Sequence, residues 1–172
     1  MHIEQTLVLL KPDTIERGLI GRIISRFEDR GLRVAGLKLL IATPELARAH
    51  YGDFVERYTP KLGKEKSESI IKEMTGFLTS GPIIAMAIEG VEAVKVVRKI
   101  VGATYPDEAP AGTIRGDFAH VSQAYANNIG ITVKNLVHAS GSLEEAKVEL
   151  GNWFKPEEIW DYKTVHHKHT IV

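Results

Sequence analysis

The chain has 172 residues, 44% of them hydrophobic, with 22 basic side chains balancing 22 acidic ones and no cysteine. That length supports one sizeable core, so residues 1–172 are read as a single domain. Balanced charge offers no global field for nucleic acid, an anionic membrane or an acidic protein, and the missing thiols exclude disulfides, thiolate nucleophiles and zinc held by sulfur.

The early apolar run TLVLL is too short for the core of a secretion signal, and IIAMAI at 83–88 has about a third of the length needed to cross a bilayer. A soluble, cytoplasmic protein with no membrane or nucleic-acid partner is expected. Residues 3–10, IEQTLVLL, are rich in strand formers and stop at Lys11-Pro12, where proline ends the ladder. Ile15, Leu19, Ile20, Ile23, Ile24 and Phe27 then recur at helical spacing, with Asp13 and Thr14 available as caps and Gly31 as a terminator. Residues 32–41 predict a second strand, and Thr43-Pro44-Glu45 predicts the cap and first turn of a short helix ending near Tyr51. The region 57–80 is less regular: its Lys/Glu/Ser stretch reads as solvated, and Ile70, Ile71 and Met74 can share one helical face.

PIIAMAIEG reads as a short buried strand and VEAVKVVRKIVG as a helix closed by Gly102. ATYPDEAPAGTIRGDF reads as a long loop, TVKNLVH at 132–138 as the last core strand, and Ser142 as the cap of LEEAKVEL, with Glu145 completing a capping box. The tail beyond Tyr162 is polar, and its HHKH is read as mobile in preference to a metal site. The order β-α-β-(α)-β-α-loop-β-α suits an α+β fold of the ferredoxin-like, split βαβ kind: an antiparallel sheet with helices packed on one face.

Without cysteine or a G-x-S-x-G elbow, histidine leads the candidate nucleophiles. His138 stands at a strand end before the small residues Ala139-Ser140-Gly141. Position alone leaves two readings, an exposed reactive imidazole or a partly buried, hydrogen-bonded one. Lys11, Arg98 and Arg115 are cations that could converge on a phosphate, or each could form an ordinary surface ion pair. No Walker loop and no G-x-G-x-x-G is present, so any phosphate must be held by side chains.

Taken together, LLKPDTIERGLIGRIISRFEDRGL, His50-Tyr51, SGPIIAMAIEG, GTIRGDF, NLVHASGS and ELGNWFKPEEIWDY resemble the nucleoside diphosphate kinase family, in family order over about residues 6–162. The resemblance implies Mg2+-dependent, ping-pong transfer of a γ-phosphoryl group from a nucleoside triphosphate to a diphosphate. It also implies a homohexamer, with a tetramer as the alternative. Matched by position, His138 is the phosphorylated histidine and Ser140 and Glu149 orient it. Lys11, Tyr51, Arg98, Thr104, Arg115 and Asn135 surround the nucleotide phosphates and ribose. Mg2+ would be held mainly by the nucleotide phosphates. Two insertions depart from the family pattern, near 58–79 and 119–134; the first puts the base contact in doubt, with Tyr58 and Phe54 as replacements. Ala139 and Gly141 replace the usual glycine and aspartate.

Overall fold

A computed structural model describes residues 3–170. The first strand, β1 (Ile3–Leu10), runs through the middle of a four-stranded antiparallel sheet of order β2-β3-β1-β4. The chain continues through α1 (Pro12–Glu16), α2 (Ile20–Glu28), β2 (Arg33–Leu40) and α3 (Pro44–His50). Next come α4 (Phe54–Leu62), α5 (Lys64–Leu78), β3 (Ile83–Val91) and α6 (Ala93–Val101). The remainder is α7 (Ile114–Phe118), α8 (Gln123–Ile129), β4 (Val137–Ala139), α9 (Leu143–Trp153) and α10 (His167–Thr170).

Side chains alternate across a strand, so β1 divides its apolar residues between two cores. Val8 and Leu10 join Ile23, Phe27, Met86, Val97 and Ile114 on one face. Leu7 and Leu9 join Ala47, Leu78, Trp153 and Phe154 on the other. Helices therefore cover both faces of the sheet and not one, because β1 and β3 are apolar on both sides: Ile83 to Ile88 are all buried. Among the described residues no helix is long and apolar enough to cross a membrane.

Several local expectations change. The helix expected across Ile15–Phe27 is two helices, since Gly18 adopts φ +65° between α1 and α2. Asp13 and Thr14 do not cap it; their side chains reach 123 and 122 residues onward, to the main chain of Leu136. Gly31 (φ +76°) and Gly102 (φ +90°) do end their segments. Thr43 caps α3 by accepting from the Leu46 N–H. The irregular 57–80 region is a helical hairpin, broken where Gly63 takes φ +80°. Ile70, Ile71 and Met74 are half-buried on its inner side. The long loop holds a 3-10 turn at Pro106–Glu108 and the short α7, capped by Thr113.

The predicted strand 132–138 shrinks to three residues, because Leu136 has φ +69° and leaves β geometry. Ser142 caps α9, but the Glu145 carboxylate accepts from the Gly141 N–H instead of closing a box on Ser142. HHKH lies in and just before the single turn α10.

Space beside Gly116 in α7 is fully used. A Cβ on Gly116 would fall 2.1 Å from the Pro110 carbonyl oxygen and 2.7 Å from that of Ala109, both in the loop that carries Thr104. Gly116→Ala should cost about 1–3 kcal/mol of stability, read as a lowered thermal midpoint. Gly21→Ala, on an open helix face with nothing within 4 Å, should instead raise it by about 0.5–1 kcal/mol. Equal midpoints for the two variants would contradict this packing.

Candidate active site

The site lies where β4 leaves the sheet. His138 pairs with Leu9 of the central strand, so its backbone is fixed by the best-buried part of the fold. Glu149, from the second turn of α9 onward, returns to the ring: His138 Nε2 lies 3.0 Å from Glu149 Oε1 and 3.1 Å from Oε2. Ser140 Oγ donates to Glu149 Oε2 at 2.6 Å and accepts from the Leu7 N–H. A carboxylate beside Nε2 selects the tautomer with its proton there, leaving the Nδ1 lone pair available to the cavity. Burial, then the positive charges of Lys11 and Arg115, hold the ring far below its ordinary protonation range. Burial raises Glu149 above the usual carboxylate range.

The preceding turn positions the rest. Val137 N–H donates to the Asn135 carbonyl at 2.7 Å, making a γ-turn centred on the buried Leu136. A leucine at positive φ in such a turn stores strain on the order of 1–3 kcal/mol. Three hydrogen bonds from the start of the chain hold it. Lys11 N–H and Thr14 Oγ1 donate to the Leu136 carbonyl at 2.8 and 2.7 Å, and Leu136 N–H donates to Asp13 Oδ2 at 3.0 Å. Asn135 at the edge of the turn accepts from Lys11 Nζ at 2.7 Å and donates to the Thr104 carbonyl at 2.8 Å.

Arg115 is buried and spends its donors on main chain. Nε donates to Asn135 O at 3.1 Å, Nη1 to Gly102 O and Ala103 O at 3.1 and 2.9 Å, and Nη2 to Val137 O at 2.6 Å. Burial, then the charge of Arg98, lowers it to about 10, so it stays cationic at neutral pH. Lys11 is lowered to about 8, first by burial and then by Arg115, with Asp13 opposing.

A cavity of about 260 Å³ is lined by Lys11, Tyr51, Arg98, Thr104, Arg115, Asn135 and His138. The whole expected set thus converges, with Ser140 and Glu149 behind the ring. Glu145 is the only carboxylate among the described residues lining this cavity. A second cavity of about 580 Å³ shares Tyr51, Met74, His138 and Glu145 and runs under α4 past Phe54. Phe54 and Tyr58 stack on each other, with ring centroids 4.4 Å apart, and do not form the two walls of a slot.

Four participants were not singled out from the sequence. His50 is buried edge-on against His138, centroids 4.3 Å apart, and its Nδ1 accepts from Trp153 Nε1 at 3.3 Å. Its place beside Tyr51 in the HY pair was the available signal. Glu145, Met74 and Asp13 enter through tertiary contacts that no local spacing encodes.

The family model for nucleoside diphosphate kinase matches residues 4–159. A nucleoside diphosphate kinase of Pyrococcus furiosus is 42% identical over 161 residues, 94% of this chain and 89% of its own. One from Sulfurisphaera tokodaii is 45% identical over 159 residues, 92% of this chain and 94% of its own. Among solved structures, a transition state mimic of the Borrelia burgdorferi nucleoside-diphosphate kinase with bound vanadate and ADP superposes with a TM-score of 0.91. It is 38% identical, and the match covers 99% of this chain and 98% of that one. An NDP kinase from Pyrobaculum aerophilum gives 0.85 at 38% identity, covering 92% of this chain and 100% of its own. Model, relatives and structures agree over nearly the full length, and the chain belongs to the nucleoside diphosphate kinase family.

Proposed function

We propose that this chain moves the γ-phosphoryl group of a nucleoside triphosphate onto a nucleoside diphosphate by way of His138. The observation that carries the reading is the neutral imidazole of His138, bound to Glu149 through Nε2 and open to a cavity lined by Lys11, Arg98 and Arg115. In the first half-reaction the Nδ1 lone pair forms the N–P bond as the bond from the γ-phosphorus to its bridging oxygen breaks, and a nucleoside diphosphate leaves. In the second, a terminal oxygen of another diphosphate attacks the same phosphorus and returns the electron pair to Nδ1. One cavity then serves donor and acceptor in turn, which requires ping-pong kinetics.

Because the transition state is loose, with charge on the equatorial oxygens, the protein's work is positioning and neutralisation. Lys11 and Arg98 supply charge, Asn135 and Thr104 edge the phosphates and ribose, and Tyr51 walls the cavity beside Met74. Arg115 contributes charge and whatever donor its four carbonyl bonds leave over. Glu149 stabilises the imidazole orientation and Ser140 stabilises Glu149.

Magnesium fits as a passenger on the nucleotide. It prefers six oxygen ligands, several of them water, whereas this cavity offers cations and one carboxylate, Glu145, already bonded to Gly141 N–H and Arg57. Bound with the nucleotide, the ion would neutralise oxygens of the β- and γ-phosphates. His50, His138 and Glu149 also present ligand atoms within 4.8 Å of one another, but two imidazoles and a carboxylate suit zinc better than magnesium. His138 and Glu149 are already hydrogen-bonded to each other, and His50 Nδ1 accepts from Trp153 Nε1.

Self-association into a homohexamer, with a tetramer as the alternative, is supported by edge strand β2. Leu37, Leu39 and the following Ile41 are 50%, 62% and 67% exposed in one i, i+2, i+4 row. A cytoplasmic setting fits a chain without cysteine.

Incubation with MgATP, removal of nucleotide and addition of GDP should give acid-labile phosphate on the protein that passes quantitatively to GTP. His138→Ala should form none while melting as a folded protein. Loss of the label to water alone would favour a hydrolase. The His138 ring resonances should show no protonation between pH 8 and 5.5, whereas an unperturbed ring would titrate near 6.5. Lys11 loses its proton as pH rises through about 8, so kcat/KM should fall on that alkaline side; a profile flat to pH 10 would remove Lys11 from the phosphate site. Leu39→Glu should shift the assembly to a smaller mass by light scattering, and an unchanged mass would exclude this edge as a contact.

A further inference from the structure

Asp13 stands just after Lys11, is 3% exposed, and points its carboxylate into the interior and not along α1. Oδ2 accepts the Leu136 N–H, while Oδ1 is buried with no hydrogen-bond partner among the described residues. A buried carboxylate with half its capacity unused contributes little as a stabilising device, since burying a charged group is costly unless fully paired. The group it does bind is the one N–H at the centre of the γ-turn. That turn decides where two site residues point. Asn135 precedes it and meets Lys11 and Thr104, and His138 lies two residues beyond its centre.

The other bonds to Leu136 hold only its carbonyl, through Lys11 N–H and Thr14 Oγ1. Arg115 holds the carbonyls on either side, of Asn135 and Val137. Among the described residues the N–H is pinned by Asp13 alone; without that acceptor the peptide before Leu136 keeps only its carbonyl bonds, from Arg115 Nε and the Val137 N–H, to resist rotation toward an unstrained φ. Rotation there would swing the Asn135 carbonyl off Arg115 and turn Asn135 away from Lys11.

We propose that Asp13 is a positioning residue for phosphoryl transfer, acting through the strained turn at Leu136 to aim Asn135 and His138 without touching the nucleotide. The inference rests on the reading of His138 as the phosphoryl carrier. A misplacement of about 1 Å at a reacting group costs on the order of 10²-fold in rate, and that sets the scale of the effect.

The test is single-turnover formation of phosphohistidine from MgATP, measured with binding of ADP in the same preparations. Wild type that forms no phosphohistidine would sink the carrier reading, independently of Asp13. Given a phosphorylated wild type, Asp13→Ala should slow phosphorylation by about 10²-fold while ADP affinity changes far less. Asp13→Asn keeps an oxygen for the Leu136 N–H and should restore most of the rate, which a purely electrostatic carboxylate would not allow. Thr14→Val removes a carbonyl-side pin with little change in shape and should slow phosphorylation several-fold with the same split, so the idea is testable even if Asp13→Ala does not fold. Full rate in folded Asp13→Ala, or Asp13→Asn as slow as Asp13→Ala, would overturn the proposal, as would Thr14→Val at wild-type rate.

Discussion

The buried guanidinium of Arg115 is the constraint on which the site depends. It ties the Gly102–Ala103 end of α6 to the Asn135 and Val137 carbonyls on either side of a strained leucine. Buried cations are costly unless hydrogen-bonded, and here the bonds go to carbonyl dipoles and not to a carboxylate. The donors are satisfied while the charge is only partly balanced. The same side chain thus holds three segments together and leaves their meeting point electropositive, with Lys11 and Arg98 adding to it. Structure and anion affinity come from one residue.

That surplus of positive charge also explains the imidazole. A ring surrounded by desolvating walls and cations cannot readily take up a proton, so His138 is kept as a nucleophile without an external base. Glu149 and Ser140 occupy its far side and use the proton on Nε2 as a handle. Burial and like charge, which would weaken an ordinary surface histidine's ion pair, here act in the direction the chemistry needs.

Much of the sheet was legible in the sequence because β1 and β3 are dense in strand-forming apolar residues and end at proline or glycine. The amphipathic α6 and the caps at Thr43 and Ser142 were legible for equally local reasons. The nine residues assigned to the site converge because the family pattern already encodes their placement. What could not be read was set by distant partners. Leu136 looks like a strand residue, and bonds to its main chain from the Lys11 N–H and from the Asp13 and Thr14 side chains hold it out of one. Asp13 looks like a cap because caps are local, and its real partner is 123 residues away. Gly18 sits within an apolar pattern that periodicity carries straight across. His50 carries no local sign of its role, and only the tertiary fold sets it edge-on against the ring that matters.

Of the hairpin, α5 anchors itself in the core through Leu78, whereas α4 lines the second cavity and adds nothing to the core. No residue of α4 is buried, and its reach across the cleft is an Arg57–Glu145 ion pair between half-exposed side chains. Regions with few buried contacts open at low free energy, without global unfolding. A carrier that must release one nucleotide before accepting another has to reopen its cleft twice in every cycle. Because α4 lies outside the sheet with no buried residue, opening the cleft and losing the catalytic geometry carry separate costs: the strand pairing that keeps the histidine in register with Leu9 does not run through it.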